Sequence, residues 1–309
     1  MTVHLGLALF GLASLAAAPG TIHSPAAGDQ VVVVITSGVP AYDEALEGFR
    51  KAAGGQGWFA LDLRQKGSEQ ALNEALRSKG IKVAVGIGSE AAEAVMAQHP
   101  SVPVIAAAAM PHLLSNEPAR GRVVSVIAAQ APLGAVLENV KRVFPSKSRL
   151  AMIRDPALPE AGADSMRAAA EAAGFVPRIV DCPGPAQLLE LMQSLKDQVD
   201  LVLCLPDASL YNSATIKPLV LASLRYRLPL IGFSEGFVRA GAAIGVYQDF
   251  HDAGARAAEL ALKVLNGQPV PRVESLRNFR VAVNQNITRL LGLTYKHPAG
   301  SGDGFIIIR

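Results

Sequence analysis

Charge is scarce in this chain, and its scarcity narrows the function before any motif is considered. Only 18% of the 309 residues are charged, and 29 Lys plus Arg against 26 Asp plus Glu leave a formal +3. No cluster of five or more basic residues gathers that excess, so the electrostatic footprint of a nucleic-acid binder is missing. Aromatic residues make up 5%, too few for a platform on which successive bases stack. The two cysteines, Cys182 and Cys204, and the six scattered histidines show no metal-ligand spacing, so no metal site is expected. No cofactor is expected either: no G-x-G-x-x-G follows a predicted strand, and GIGSEA at 86–91 lacks the third glycine.

The first 18 residues hold no Lys, Arg, Asp or Glu. An apolar run over 5–15 leads to Ala16-Ala17-Ala18, a small-x-small cleavage site, so 1–18 reads as a secretory signal too short to span a membrane. Its start, MTVH, lacks the usual basic residue, which points to a displaced start site. No cysteine stands near the cleavage point, which argues against a lipid anchor. The expectation is a mature protein, soluble in a periplasm or outside the cell.

What the sequence has in abundance is alternating apolar strands and amphipathic helices, written twice. The first copy opens on VVVVITS at 31–37, the length and β-branching of a strand buried on both faces. A helix over 42–53, WFALDL at 58–63, a helix over 69–79, KVAVGIG at 82–88, a helix over 90–98 and VPVIAAA at 102–108 follow. The second copy opens on LAMIRD from Leu150, with Ile153 placed 118 residues after Ile35. A helix over 160–173, VPRIVD at 176–181, a helix over 186–197, DLVLCLPD at 200–207, a helix near 213–225 and LPLIGF at 228–233 repeat the order. This alternation predicts two α/β lobes of parallel sheet joined by right-handed crossovers, with ligand loops beyond the carboxyl ends of the strands. Half the residues are apolar, enough to build one core per lobe. Cys182 and Cys204 fall on strands expected to flank the second lobe's first strand, about 10 Å apart at about 4.8 Å per strand. That is beyond disulfide reach, so both read as buried packing residues, a disulfide being the alternative.

Three stretches carry a family resemblance: GIGSEAAEAV at 86–95, LPLIGFSEGFVRAGAAIGVYQDFHDAGARAAELALKVLNGQPV at 228–270, and VAVNQNITRLLGL at 281–293. From about Val31 to Tyr295 the chain resembles the ABC-transporter substrate-binding branch of the type I periplasmic binding proteins, the branch that includes aromatic amino-acid binders. The resemblance implies two doubly wound lobes joined by a three-crossing hinge near Ile127, Gln248 and Pro269. The first lobe is then expected over 30–127 plus 249–268 and the second over 128–248 plus 269–295, with 296–309 a tail outside the pattern. It also implies a small-molecule ligand, an ABC permease as partner, and a monomer. Members often carry Asp-Pro after the fourth strand of the first lobe, where this chain has Ala108-Ala109-Met110-Pro111. If that carboxylate normally faces a ligand's ammonium group, the ligand here differs from an ordinary amino acid.

Candidate site residues sit at the strand exits. Gly88 and Ser89 mark the strand-to-helix turn after the third strand, whose free N–H groups and positive dipole suit a carboxylate. Ser89 also reads as a plain N-cap with Glu90 in the first turn, and an inward Glu90 would oppose anion binding. Ser37 and Tyr42 flank the first strand's exit, Tyr42 being either a stacking aromatic or a half-buried helix-start residue. In the second lobe Arg154, Asp155 and Asp207 end apolar strands, where charge is costly to bury. Arg154 could hold a carboxylate bidentately, or pair structurally with Asp155 or Asp207. Tyr211, Phe233, Glu235 and Tyr247 complete the expected rim.

GFSEG at 232–236 fits G-x-S-x-G between a predicted strand and a helix, the context of a nucleophile elbow around Ser234. Its convenient partners, Asp249, Asp252, His251 and His297, do not follow separate strands as triad members should. The reading that best unites these features is a non-enzymatic, extracytoplasmic solute-binding protein for an ABC importer, closing on an amino acid, carboxylate or aromatic compound. A ligand-sensing module for a membrane receptor and a serine hydrolase are the alternatives.

Overall fold

Five consecutive β-branched residues, Val31–Ile35, form β1 and are all buried, as a strand covered by helices on both faces requires. The computed structural model describes residues 26, 28–110, 123–157, 162–207, 209–276, 278–297 and 304–309. The expected leader over 1–18, like Pro111, lies outside the described residues. After β1 come α1 (Pro40–Ala53), β2 (Trp58–Asp62), α2 (Ser68–Arg77), β3 (Val83–Ile87), α3 (Ser89–Ala97), β4 (Val104–Ala109) and β5 (Val123–Ala128). The second unit follows as α4 (Leu133–Val143), β6 (Arg149–Arg154), α5 (Ala163–Ala172), β7 (Val176–Asp181), α6 (Leu188–Leu195), β8 (Leu201–Cys204), α7 (Ile216–Tyr226), β9 (Leu230–Gly232), α8 (Glu235–Ala240) and β10 (Ile244–Gln248). The chain ends with α9 (Phe250–Leu265), β11 (Val273–Glu274), β12 (Phe279–Asn284), α10 (Gln285–Leu290) and β13 (Phe305–Ile308).

These strands make two sheets, ordered β11-β5-β4-β3-β1-β2 and β13-β12-β10-β9-β8-β6-β7. Pairing is parallel except between β10 and β12. Each lobe therefore winds both ways from its first strand, the order of a doubly wound fold. The repeat runs one strand further than its sequence pattern, to β5 and β10. Pleat alternation supplies both cores: Val31, Val33 and Ile35 pack with Phe49 and Leu260, while Val32 and Val34 pack with Leu72 and Val95. Each such aliphatic side chain contributes about 1.5–3 kcal/mol over its exposed state. In the second lobe Leu150 and Met152 pack with Leu137, and Ala151 and Ile153 with Met192 and Leu219.

Helix α9 returns to the first lobe and crosses α1 with the two backbones in contact. A Cβ on Gly48 would fall 1.9 Å from the His251 carbonyl oxygen, and one on Gly254 1.7 Å from that of Ala45. Only glycine permits this approach, and the small residues Ala253, Ala257 and Ala258 extend the seam.

The chain passes between lobes at 129–132, at Asp249 and after Glu274. The third crossing was expected near Pro269. It comes later because Val273 and Glu274 pair with Val126 and Ile127 on the first sheet's edge, so 269–274 serve the first lobe. The segment expected to be a tail contributes β13, which pairs in parallel with β12. Its Ile306 and Ile308 join one face of the second lobe's core and Phe305 the other. Cys204 ends β8 and Cys182 follows β7, the strands flanking β6, and both are free and buried; burial pushes the Cys204 thiol up to about 12.

Candidate functional site

The order β2-β1-β3 puts the first lobe's switch point between β1 and β3, where the chain leaves neighbouring strands in opposite directions and opens a crevice at their carboxyl ends. Thr36 and Ser37 leave β1 there, and Gly88 leaves β3. Gly88 adopts φ 92° and ψ 156° as the N-cap of α3, and no side chain caps that helix. The Tyr42 ring lies on this turn: a Cβ on Gly88 would be 2.6 Å from Tyr42 Cζ and 2.9 Å from its hydroxyl. Tyr42 is thus half-buried at the start of α1, with its ring packed on the turn beside the crevice.

Ser89 is not the N-cap. It occupies the first helical position, and its hydroxyl accepts the Met110 N–H at 3.0 Å, binding α3 to the end of β4. The start of α3, beside the crevice, thus has no side-chain cap among the described residues. Glu90 follows, exposed, with its carboxylate accepting the Thr36 hydroxyl at 3.1 Å. Burial, and then the Glu90 charge, raise the Tyr42 phenol above its ordinary value. Ser37 turns the other way, its N–H donating to Asp62 Oδ1 at 3.1 Å. Burial works to raise the Asp62 carboxyl, but hydrogen bonds from Ser37 and the Arg64 N–H, with the Arg64 charge, hold it lower.

The second lobe's switch point, β8-β6-β7, corrects several expectations. Arg154, expected to hold a ligand carboxylate or to pair with Asp155 or Asp207, has a partner that was not foreseen. Its register partner across β6 and β7 is Asp181, and Nε meets Asp181 Oδ1 at 2.7 Å. Asp155 accepts the Ala157 N–H at 2.8 Å, closing a turn. Asp207 organises the next loop, accepting the Ser209 N–H at 2.8 Å and its hydroxyl at 2.6 Å. Tyr211 leaves the rim altogether: it is 5% exposed and packs on Phe233 and Phe237 at centroid distances of 6.0 and 5.9 Å. Aromatic area of this size is worth most inside a core. Phe233, half-buried at the exit of β9, is the aromatic that the second lobe offers at its carboxyl edge.

Glu235 and Tyr247 come together, the Tyr247 hydroxyl donating to Glu235 Oε2 at 3.2 Å, while Glu235 Oε1 accepts Arg239 Nε at 2.8 Å. Tyr247 is 6% exposed; burial and the Glu235 charge raise its phenol well above the usual range. Ser234 is the N-cap of α8, its hydroxyl accepting the Phe237 N–H at 3.2 Å. The expected hydrolase partners are engaged elsewhere: Asp249 caps α9 and binds Arg280, Asp252 accepts Asn278, and the His297 ring stacks on Phe305.

Several residues at the crossings were not visible in the sequence. Arg280 on β12 bonds Asp249 through Nε at 2.9 Å and Glu44 of α1 through Nη1 at 3.2 Å, tying the second lobe to the first. Gln248, 1% exposed, donates Nε2 to the Gln130 carbonyl at 2.9 Å, joining two crossings. The N-cap signal of Asp249 before α9 was the one local clue. Among the described residues no group of His, Cys, Asp and Glu is arranged to hold a metal ion, and no helix is long and apolar enough to cross a membrane.

Solved structures share this architecture. A ligand-free, open substrate-binding protein with adhesive properties from Clostridium difficile aligns with TM-score 0.70 at 16% identity, covering 91% of this chain and 99% of its own. The ABC domain in complex with L-Trp from Streptococcus pneumoniae aligns with TM-score 0.59 at 16% identity, over 91% and 100% of the two chains. A periplasmic ribose ABC transporter protein from Conexibacter woesei aligns with TM-score 0.56 at 16% identity, over 88% and 97%. These likenesses establish the type I periplasmic binding protein fold. No curated protein matches the chain in sequence. Residues 31–298 match the family of ABC transporter substrate binding proteins, and over that span, which takes in both switch points and all three crossings, the chain belongs to it: an extracytoplasmic solute-binding protein, of the kind that presents a small molecule to an ABC permease.

Proposed function

We propose that the ligand is a small organic acid of the amino-acid or aromatic type, bound between the carboxyl edges of the two sheets and delivered by lobe closure. The observation that carries this reading is the turn at 88–91. There α3 begins at a switch point with no side-chain cap, beneath the Tyr42 ring. Backbone N–H groups at a helix start suit a carboxylate, and a phenol ring beside them suits an apolar or aromatic body. Phe233 supplies a facing aromatic edge from the second lobe. Closure follows because a ligand touching both lobes stabilises the closed arrangement over the open one, and that difference alone drives the motion. In this reading the protein is a soluble monomer exported on the segment over 1–18.

Isothermal titration of protein stripped of carried ligand by unfolding and refolding, against amino acids and aromatic acids, tests this. The expected result is saturable one-to-one binding of at least one member. A panel without a binder refutes the ligand class.

A further inference from the structure

We propose that Glu44 and Arg280 form a strap that holds the two lobes apart until a ligand closes them. The inference rests on the lobe closure of the reading above and on no particular ligand class. Three observations carry it. The first is what the guanidinium grips. Arg280, on β12 of the second lobe, lays Nε and Nη2 on Asp249 at 2.9 and 3.1 Å and Nη1 on Glu44 at 3.2 Å. Both carboxylates ride on one packed unit of the first lobe: Asp249 caps α9 through the His251 and Asp252 N–H groups, and α1, which carries Glu44, meets the α9 backbone at Gly48 and Gly254. Just before β12, Asn278 adds a bond to Asp252 Oδ2 at 2.6 Å.

The second observation is leverage. Asp249 is itself a crossing and Asn278 closes another, so their contacts lie near the axis about which the lobes turn and survive the motion. Glu44 stands on no crossing, and its contact with Arg280 is the longer one, so it is the contact that rotation alters first. The third is the arrangement in which the pair is made. Glu90 beside the β3 exit and Pro156 and Ala157 beyond β6 are exposed, so the edges of the crevice stand open to solvent. Tyr247, opposite Arg280 on β10, turns its hydroxyl to Glu235 and leaves Glu44 to the arginine. The Glu44 and Arg280 side chains are 43% and 22% exposed, and a pair so wet is weak. It thins the closed population of the empty protein without resisting a ligand that touches both lobes. The form offered to a permease is then chiefly the loaded one, with a matching loss of apparent affinity.

The test is single-molecule energy transfer between dyes on Lys66→Cys and Ala186→Cys. These exposed positions lie past the carboxyl ends of β2 and β7, the strands farthest from the crossings, and the native thiols are buried. Glu44→Gln is expected to raise the closed-to-open ratio of the ligand-free protein by about 1.4- to 5-fold, the range of a partly exposed ion pair. About 1 M salt is expected to move the parent the same way and to leave Glu44→Gln in place. An unchanged ratio, a shift toward the open form, or salt acting equally on both proteins overturns the strap. A denaturation midpoint that moves while the ratio does not shows a contact that only supports the fold, and overturns it as well. Adding the amino acids and aromatic acids of the panel to the labelled parent separates the two readings. Closure with an added acid but no effect of Glu44→Gln overturns the strap alone, and movement in neither case overturns lobe closure with it.

Discussion

Replacing Gly88 with alanine perturbs the site at one atom, and its cost divides into two separable parts. At φ 92° and ψ 156° the residue occupies a backbone region open essentially to glycine alone, which costs any other residue about 1–3 kcal/mol. The added Cβ would also lie 2.6 Å from Tyr42 Cζ. Overpacking of this kind costs about 1–3 kcal/mol, and because Tyr42 is only half-buried its ring can swing aside, so the lower half of that range is expected. Together these give about 2–5 kcal/mol of lost stability in Gly88→Ala. In a Tyr42→Ala background the steric part vanishes and about 1–3 kcal/mol remains. Urea denaturation of the four proteins of this cycle measures both parts, with the difference between backgrounds reporting the contact. Ligand affinity, read by titration, falls in Gly88→Ala because the ring moves out of the crevice. A Gly88→Ala protein within about 0.5 kcal/mol of its parent, or the same cost in both backgrounds, would refute the packing of Tyr42 on this turn.

Other substitutions probe the remaining assignments. Ser234→Ala removes the N-cap of α8 and should cost about 1 kcal/mol in denaturant, with ester turnover absent before and after; measurable esterase activity in the parent, lost in the variant, would restore the nucleophile. Tyr211→Phe removes a buried hydroxyl that lies beside the Cys204 thiol without an oxygen or nitrogen partner. It should shift stability by less than about 1 kcal/mol and leave ligand affinity untouched, and a large affinity loss would return Tyr211 to the rim. Burial works to raise the Asp200 carboxyl, but the Arg149 side-chain hydrogen bond at 2.9 Å, the N–H groups of Arg149 and Ser148, and the Arg149 charge hold it at about 2. With the folded value depressed, its stabilisation is present above pH 3.8, the ordinary aspartate value, and is lost as pH falls toward about 2. Asp200→Asn should therefore flatten the stability profile in that window, which acid titration followed by circular dichroism will read.

The exits of the strands were legible as candidate ground for a site, because doubly wound sheets expose those ends whatever their sequence. Gly88 and Tyr42 were legible as neighbours of one turn, since a glycine at a strand-to-helix turn and an aromatic in the facing loop are local signals, and the ring does pack on that turn. Arg154 shows where that logic stops. Its partner, Asp181, is set by the register of β6 on β7, which periodicity does not encode to the residue. Tyr211 failed for a similar reason: a tyrosine in a loop after a strand can face the cleft or the core, and packing against Phe233 and Phe237 chose the core.

Runs of β-branched residues and helical spacing are short-range properties, so the sequence by itself determined two α/β lobes, their strand exits and the family to which they are similar. Pairings between distant segments needed the tertiary structure. It placed β13 at the edge of the second sheet, moved the last crossing beyond Glu274, and joined Arg280 to Glu44 across the hinge. It also set the exposed Glu90 within hydrogen-bond reach of Thr36. Each of these depends on how two elements far apart in the chain meet, and the energy of a charge is decided by what it meets rather than by where it stands in the sequence.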